Sequence, residues 1–156
     1  MPCSIDEIIW FMQFDVSRYP HELGDESATS EFMKRTLADF PQEVRELVES
    51  PTTHPYYVWN TTDFELLPSF HLDNVVLLGD AAHLALPFTS AGVGNALLDA
   101  ACLSSELISG KGFEDACKDF YKQRAPIVGG HVLTGRKIRE SFMRGSAQGI
   151  LIPLVD

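Results

Sequence analysis

The residues whose types and spacing could do chemistry lie in one stretch, Asn74–Leu107, NVVLLGDAAHLALPFTSAGVGNALLDAACLSSEL. Asp80 follows the apolar run Val75-Val76-Leu77-Leu78 and a glycine, so it should sit at the tip of a strand. A loop of small residues with Pro87 comes next, and then a helix opening at Gly92-Val93-Gly94-Asn95. The glycines admit close backbone approach, and the first-turn N–H groups of a helix have no partner within it. A carboxylate facing bare amides suits a cofactor that carries hydroxyls and an electron-rich, partly anionic ring. The candidate ligand-binding residues are Gly79, Asp80, Ala81, Pro87, Gly92, Val93, Gly94 and Asn95.

Several elements must position them. Val75–Leu78 has the composition of a strand buried on both faces. The helix after Gly92 carries Val93, Ala96, Leu97, Ala100, Leu103 and Leu107 at helical spacing, with Asp99 and Glu106 its only charges. That pattern predicts a helix buried almost all round, ended by Gly110 and Gly112. A further helix is expected over Phe113–Gln123, continuing past Pro126 to about Arg144, with Pro126 and Gly129-Gly130 weakening or kinking it. Its Arg136, Lys137, Arg139 and Arg144 form a basic face. Upstream, Ile8–Val16, Tyr56–Trp59 and Phe64–Leu67 read as strands. Ser30 is placed to cap a helix over Glu31–Asp39. Asp39 is placed to cap a second helix, with Pro41 at its first position and running to about Glu49. The apolar tail Gly149–Leu154 is expected to dock on a protein surface.

Composition narrows the classes. The chain has 156 residues, 45% of them hydrophobic, enough for one domain with a core. A formal charge of −10 argues against binding nucleic-acid backbone or an anionic membrane surface. Residues 1–50 hold eleven acidic and four basic side chains, and 51–110 hold no Lys or Arg at all. Cys3, Cys102 and Cys117 have no metal-type spacing and read as reduced thiols, which with no leader or apolar span predicts a cytoplasmic protein. No metal site is expected. His83 reads as a structural member of the loop rather than a base. Asp99 reads as a buried carboxylate satisfied by neighbouring backbone. No catalytic residue is assigned.

From Gly79-Asp80-Ala81-Ala82-His83 onward the stretch resembles the second FAD-binding motif of the para-hydroxybenzoate-hydroxylase-like, FAD-dependent aromatic hydroxylases and monooxygenases. The register holds at Gly79–His83, Pro87, Phe88, Gly92, Asp99 and Ala100. The resemblance implies FAD as cofactor, with NAD(P)H as electron donor in the intact enzyme. It implies hydroxylation or epoxidation of an organic substrate with O₂. The residue matching Asp80 would contact the ribityl chain, the Pro87–Gly94 segment would lie beside the ring, and the amides of Gly92–Gly94 would meet its electron-rich edge. Ser90, Ala91 and Gly94 depart from the family's G-Q-G-x-N pattern, and no G-x-G-x-x-G segment is present. The expected fold is therefore α/β (an α+β fragment), a partial FAD/NAD(P)-binding, aromatic-hydroxylase-like fold with few strands and long C-terminal helices. A single domain, 1–156, would comprise a remnant of a substrate-side sheet plus helix pair (1–70), the strand-loop-helix motif (71–110) and C-terminal helices with a tail (111–156). The implied partners are a small-molecule substrate and either an N-terminal Rossmann-containing chain or a second copy. The alternative reading is a truncated homologue without redox activity, acting as a partner-dependent subunit, a small-molecule binder or a non-redox enzyme.

Overall fold

A computed structural model describes Ser4 and residues 8–19, 26–49 and 57–145. Cys3, Tyr56 and the tail Gly149–Leu154 lie outside the described residues. The chain forms two compact units, Met1–Trp59 and Asn60–Asp156.

In the first unit, α1 (Glu26–Thr36) packs on α2 (Gln42–Glu49). Helix α1 starts four residues before the expected cap Ser30, which lies inside it. The Thr36 hydroxyl donates to the Phe32 carbonyl at 2.8 Å in its last turn. Helix α2 follows Pro41, whose carbonyl accepts the Val44 and Arg45 N–H groups. Phe32, Met33, Leu37 and Val48 are buried between them, with Trp10, Met12, Phe14, Tyr19 and Val44 packed against these. Residues 9–15 fall outside any strand, contrary to expectation. The strand-like alternation still acts on side chains: Trp10, Met12 and Phe14 are partly covered, while Ile9, Phe11 and Gln13 are exposed. A short 3₁₀ turn, Val16–Arg18, ends the segment, capped by Asp15, whose Oδ1 accepts the Ser17 N–H at 2.9 Å.

The second unit is built on two helices, α4 (Gly92–Ile108) and α5 (Phe113–Arg144), packed against each other. Ahead of them stand β1 (His71–Leu72), β2 (Val75–Val76) and the single-turn helix α3 (Asp80–His83). Strands β1 and β2 pair antiparallel, His71 opposite Val76 and Leu72 opposite Val75, around a turn in which Asp73 has φ 51°. The expected buried strand Val75–Leu78 is corrected to this two-residue hairpin arm, followed by the Leu77 N–H to Phe70 carbonyl bond at 2.7 Å. With one short neighbour and no cover on its outer face, Val75 and Leu72 are exposed. Residues 57–59 and 64–67 also form no strand. The 60–67 segment is fastened to α5 by side chains instead. Arg136 bonds Asp63 and, at 2.6 Å, Glu65, while the Tyr121 hydroxyl donates to the Leu67 carbonyl at 3.0 Å.

Helix α5 runs unbroken through Pro126 and Gly129-Gly130 for 32 residues, about 48 Å of helix. Burial explains the tolerance: Phe120, Ala125 and Val128, on both sides of the proline, belong to one core with Phe70, Ala82, Leu103 and Cys117. Helix α4 departs from the expected all-round burial. Val93 is 78% exposed and Leu97 68%, while the inward row is Asn95, Asp99 and Leu103. Polar side chains occupy that inward row because α5 brings them a buried partner. No described helix is long and apolar enough to cross a membrane.

Candidate functional site

The site begins at Gly79, whose φ of 54° and ψ of −137° turn the chain sharply out of the hairpin. A methyl group there would come within 3.0 Å of the Ala96 Cβ on α4, so both conformation and space call for glycine. The Gly79 carbonyl accepts the Ala82 and His83 N–H groups at 2.9 Å, which closes the α3 turn. Asp80, the first residue of α3, is exposed, as is Ala81.

Helix α4 opens behind a 3₁₀ turn, Pro87–Thr89, and Ser90, which takes a left-handed φ of 52° at a position where the resembled pattern has glycine. Ala91 supplies no side-chain cap, and the first intrahelical bond runs from the Asn95 N–H to the Ala91 carbonyl at 2.9 Å. The N–H groups of Gly92, Val93 and Gly94 precede that bond, and Gly92 and Val93 are exposed. A methyl group added at Gly92 would stand 3.7 Å from Asp80 Oδ1. The Asp80 carboxylate, which opens α3 rather than ending a strand as expected, and the start of α4 therefore border the same small space, and no hydrogen bond joins them. Pro87 is exposed in the turn leading to α4, and Phe88 packs its ring 6.5 Å from that of Phe142.

Asn95, like Gly79, is buried, whereas Asp80, Ala81, Pro87, Gly92 and Val93 are exposed. Asn95 is 3% exposed, and its Oδ1 accepts Arg124 Nη2 at 3.0 Å inside the fold. Behind the site lies a buried polar network that sequence reasoning found only in part. Asp99 accepts the Gly79 N–H at 2.9 Å, the neighbouring backbone contact expected of it. It also meets His83 Nε2 at 2.5 Å and accepts Arg124 Nε at 2.7 Å. Burial pushes the Asp99 carboxyl up, but the bonds from His83, Arg124 and Gly79 outweigh it and leave it below its ordinary 3.8. An ionised carboxylate only accepts, so the His83 proton on this side sits on Nε2. Arg124 was missed; Lys118 and Lys122 precede it on the same helix, so its own neighbourhood in the sequence does not mark it out.

His131, 2% exposed, is a further buried group on α5, and its Nδ1 has no hydrogen-bond partner. Burial, then Arg124 and His83, hold its imidazole below the ordinary 6.5. A depressed histidine binds its proton more weakly folded than unfolded, so its contribution is present above pH 6.5 and is lost as pH falls below it. Urea midpoints should accordingly drop between pH 7.5 and 5.5, and His131→Leu should flatten that drop. An equally steep fall in the variant would assign the dependence elsewhere.

No family model matches the chain. It is 32% identical over 93 residues to 6-methylsalicylate 1-monooxygenase atA of Aspergillus terreus, a match covering 60% of this chain and 19% of that protein. It is 28% identical over 135 residues to 3-hydroxybenzoate 6-hydroxylase 2 of Aquipseudomonas alcaligenes, covering 86% and 41% respectively. The chain thus spans about a fifth to two fifths of the length of these curated relatives. Among solved structures, PqsL of Pseudomonas aeruginosa, a probable FAD-dependent monooxygenase, superposes with a TM-score of 0.59 at 26% identity, over 71% of this chain and 32% of that one. Another PqsL structure holds 2-aminobenzoylacetate. Tetracycline destructase Tet(51), at 24% identity and a TM-score of 0.57, shares the fold over 87% of this chain and 35% of its own.

Proposed function

Because this chain is a homologue of FAD-dependent aromatic hydroxylases and monooxygenases, we propose that Gly79, Asp80, Ala81, Pro87 and Gly92–Gly94 form the flavin-contacting part of a monooxygenase acting on a small organic substrate. The observation that carries this reading is the shared space between Asp80 and the start of α4, where a methyl group on Gly92 would stand in van der Waals contact with the carboxylate at 3.7 Å. The residues present fit a flavin: an exposed acceptor, uncapped amides, and no side chain on the helix's first residue. Asp80 would accept hydrogen bonds from vicinal hydroxyls of the ribityl chain. The Gly92, Val93 and Gly94 N–H groups would donate to the electron-rich ring edge, with the positive end of the α4 dipole adding to them. Pro87 would border the flat ring and keep water from it. Asn95, tied to Arg124 within the fold, would steady the first turn of α4 from behind. FAD, when bound, would supply hydroxylation or epoxidation with O₂, drawing electrons from NAD(P)H.

Titration of the purified chain with FAD, followed by flavin absorption and fluorescence, tests this reading. Binding is expected, and Asp80→Ala should weaken it about 10- to 100-fold, since a hydrogen bond to a charged group is worth about 1.5–3 kcal/mol. Unchanged affinity in the variant would retire the role given to Asp80. The exposed Val93, Leu97 and Ile108 on α4 favour one competing reading, a partner-dependent subunit without redox work. On that reading the chain alone stays colourless and ignores added FAD.

A further inference from the structure

Asp99 touches both ends of the turn that carries Asp80. Its Oδ2 accepts the N–H of Gly79, the residue before Asp80, and meets Nε2 of His83, the residue closing α3. Asp99 itself stands on α4, seven residues after Gly92, inside a continuous helix whose first amides border the site. One side-chain oxygen therefore joins the two halves of the site, the carboxylate-bearing turn and the amide-bearing helix. The second oxygen is held by Arg124 Nε at 2.7 Å, and the same guanidinium reaches Asn95 in the first turn of α4. Asp99 is fully buried and Arg124 5% exposed, so water does not compete for these bonds. The left-handed Gly79, pressed against Ala96, is held from the same helix.

We propose that Asp99, clamped by Arg124, is a positioning residue for the flavin cradle: it sets the distance between the Asp80 carboxylate and the amides opening α4. This rests on the flavin-binding reading above. Asp99 acts through Gly79 and His83 and does not touch the cofactor. An ion pair that only stiffened the α4–α5 contact would have no need to spend an oxygen on the Asp80 turn.

The test uses the full chain with Asp99→Asn and Arg124→Met combined, so that neither charge is left buried alone. Retained helical circular dichroism establishes that the double variant folds. FAD affinity should then fall at least tenfold, and Asp80→Ala should cost clearly less in this background than in the wild type. Exchange of the Gly79 amide should quicken at least tenfold, while the amides of Leu103 and Phe120 keep their protection. Fully additive losses of FAD affinity, or unchanged exchange at Gly79, would overturn the positioning role. A wild-type chain that ignores FAD would overturn the functional reading itself, which separates the two failures.

Discussion

Arg124→Met alone should cost about 3–5 kcal/mol of folding stability, because it leaves the Asp99 carboxylate buried without its guanidinium. A folded domain holds about 5–15 kcal/mol in all, so much of the margin would go. Two donors would remain on Asp99, the Gly79 backbone N–H and His83 Nε2. Neither replaces the guanidinium, which holds the second carboxylate oxygen and Asn95 together in a site 0% exposed. Urea denaturation of wild type, Arg124→Met and the neutral double variant with Asp99→Asn would show the effect. The single variant should be the least stable, and the second substitution should restore most of the loss. A single-variant loss under about 1 kcal/mol would mean that the ion pair is not what holds α4 to α5. The same carboxylate sets an acid limit. Its folded value lies below 3.8, so its contribution is present above that pH and disappears as pH falls through the folded value.

Phe70→Ala should cost a similar amount, about 3–5 kcal/mol, as expected for deleting a fully buried aromatic ring. The Phe70 ring lies 4.8 Å from that of Tyr121, 5.9 Å from Phe120 and 5.6 Å from the imidazole of His83. Its loss would open a cavity where the hairpin, α3 and α5 meet, and residues around it cannot collapse without moving the α3 turn. Phe88→Ala is the comparison: that ring is only half-buried, and its loss should cost markedly less. Equal urea midpoints for the two variants would contradict the placement of Phe70 at the centre of the core.

Helices were legible where their ends carry punctuation. Pro41 ahead of Gln42, the glycines opening α4, and Gly110 and Gly112 beyond Ile108 each mark a boundary that the structure keeps. Helix α1 was read late at both ends, starting at Glu31 because Glu26–Thr29 looks like a polar turn and running to Asp39, past its observed end at Thr36. Strands fared worse, for a physical reason: a ladder depends on a second segment that the strand's own composition does not describe. Val75–Leu78 has the residues of a central strand, but its partner β1 offers two residues. The carboxylate and the helix start were both readable from residue types and spacing, and the structure brings Asp80 and Gly92 to one place. The network beneath them was not, because Asp99 and Arg124 lie 25 residues apart and meet only when α4 and α5 pack. Asn95, Asp99 and Leu103 in one row at four-residue intervals were the available hint. An inward polar pair in line with a core leucine implies a buried cation somewhere else in the chain.

Arg124 gives its charge to Asp99, and 51–110 contribute no other cation. Oriented peptide dipoles and one carboxylate are then what 51–110 bring to the entrance to α4, which is a field of short reach. Long-range attraction of an anionic ligand would have to come from outside this segment. Within it, recognition would depend on close fit and respond little to ionic strength, since counterions screen distant charges far more than contacts made inside a cleft.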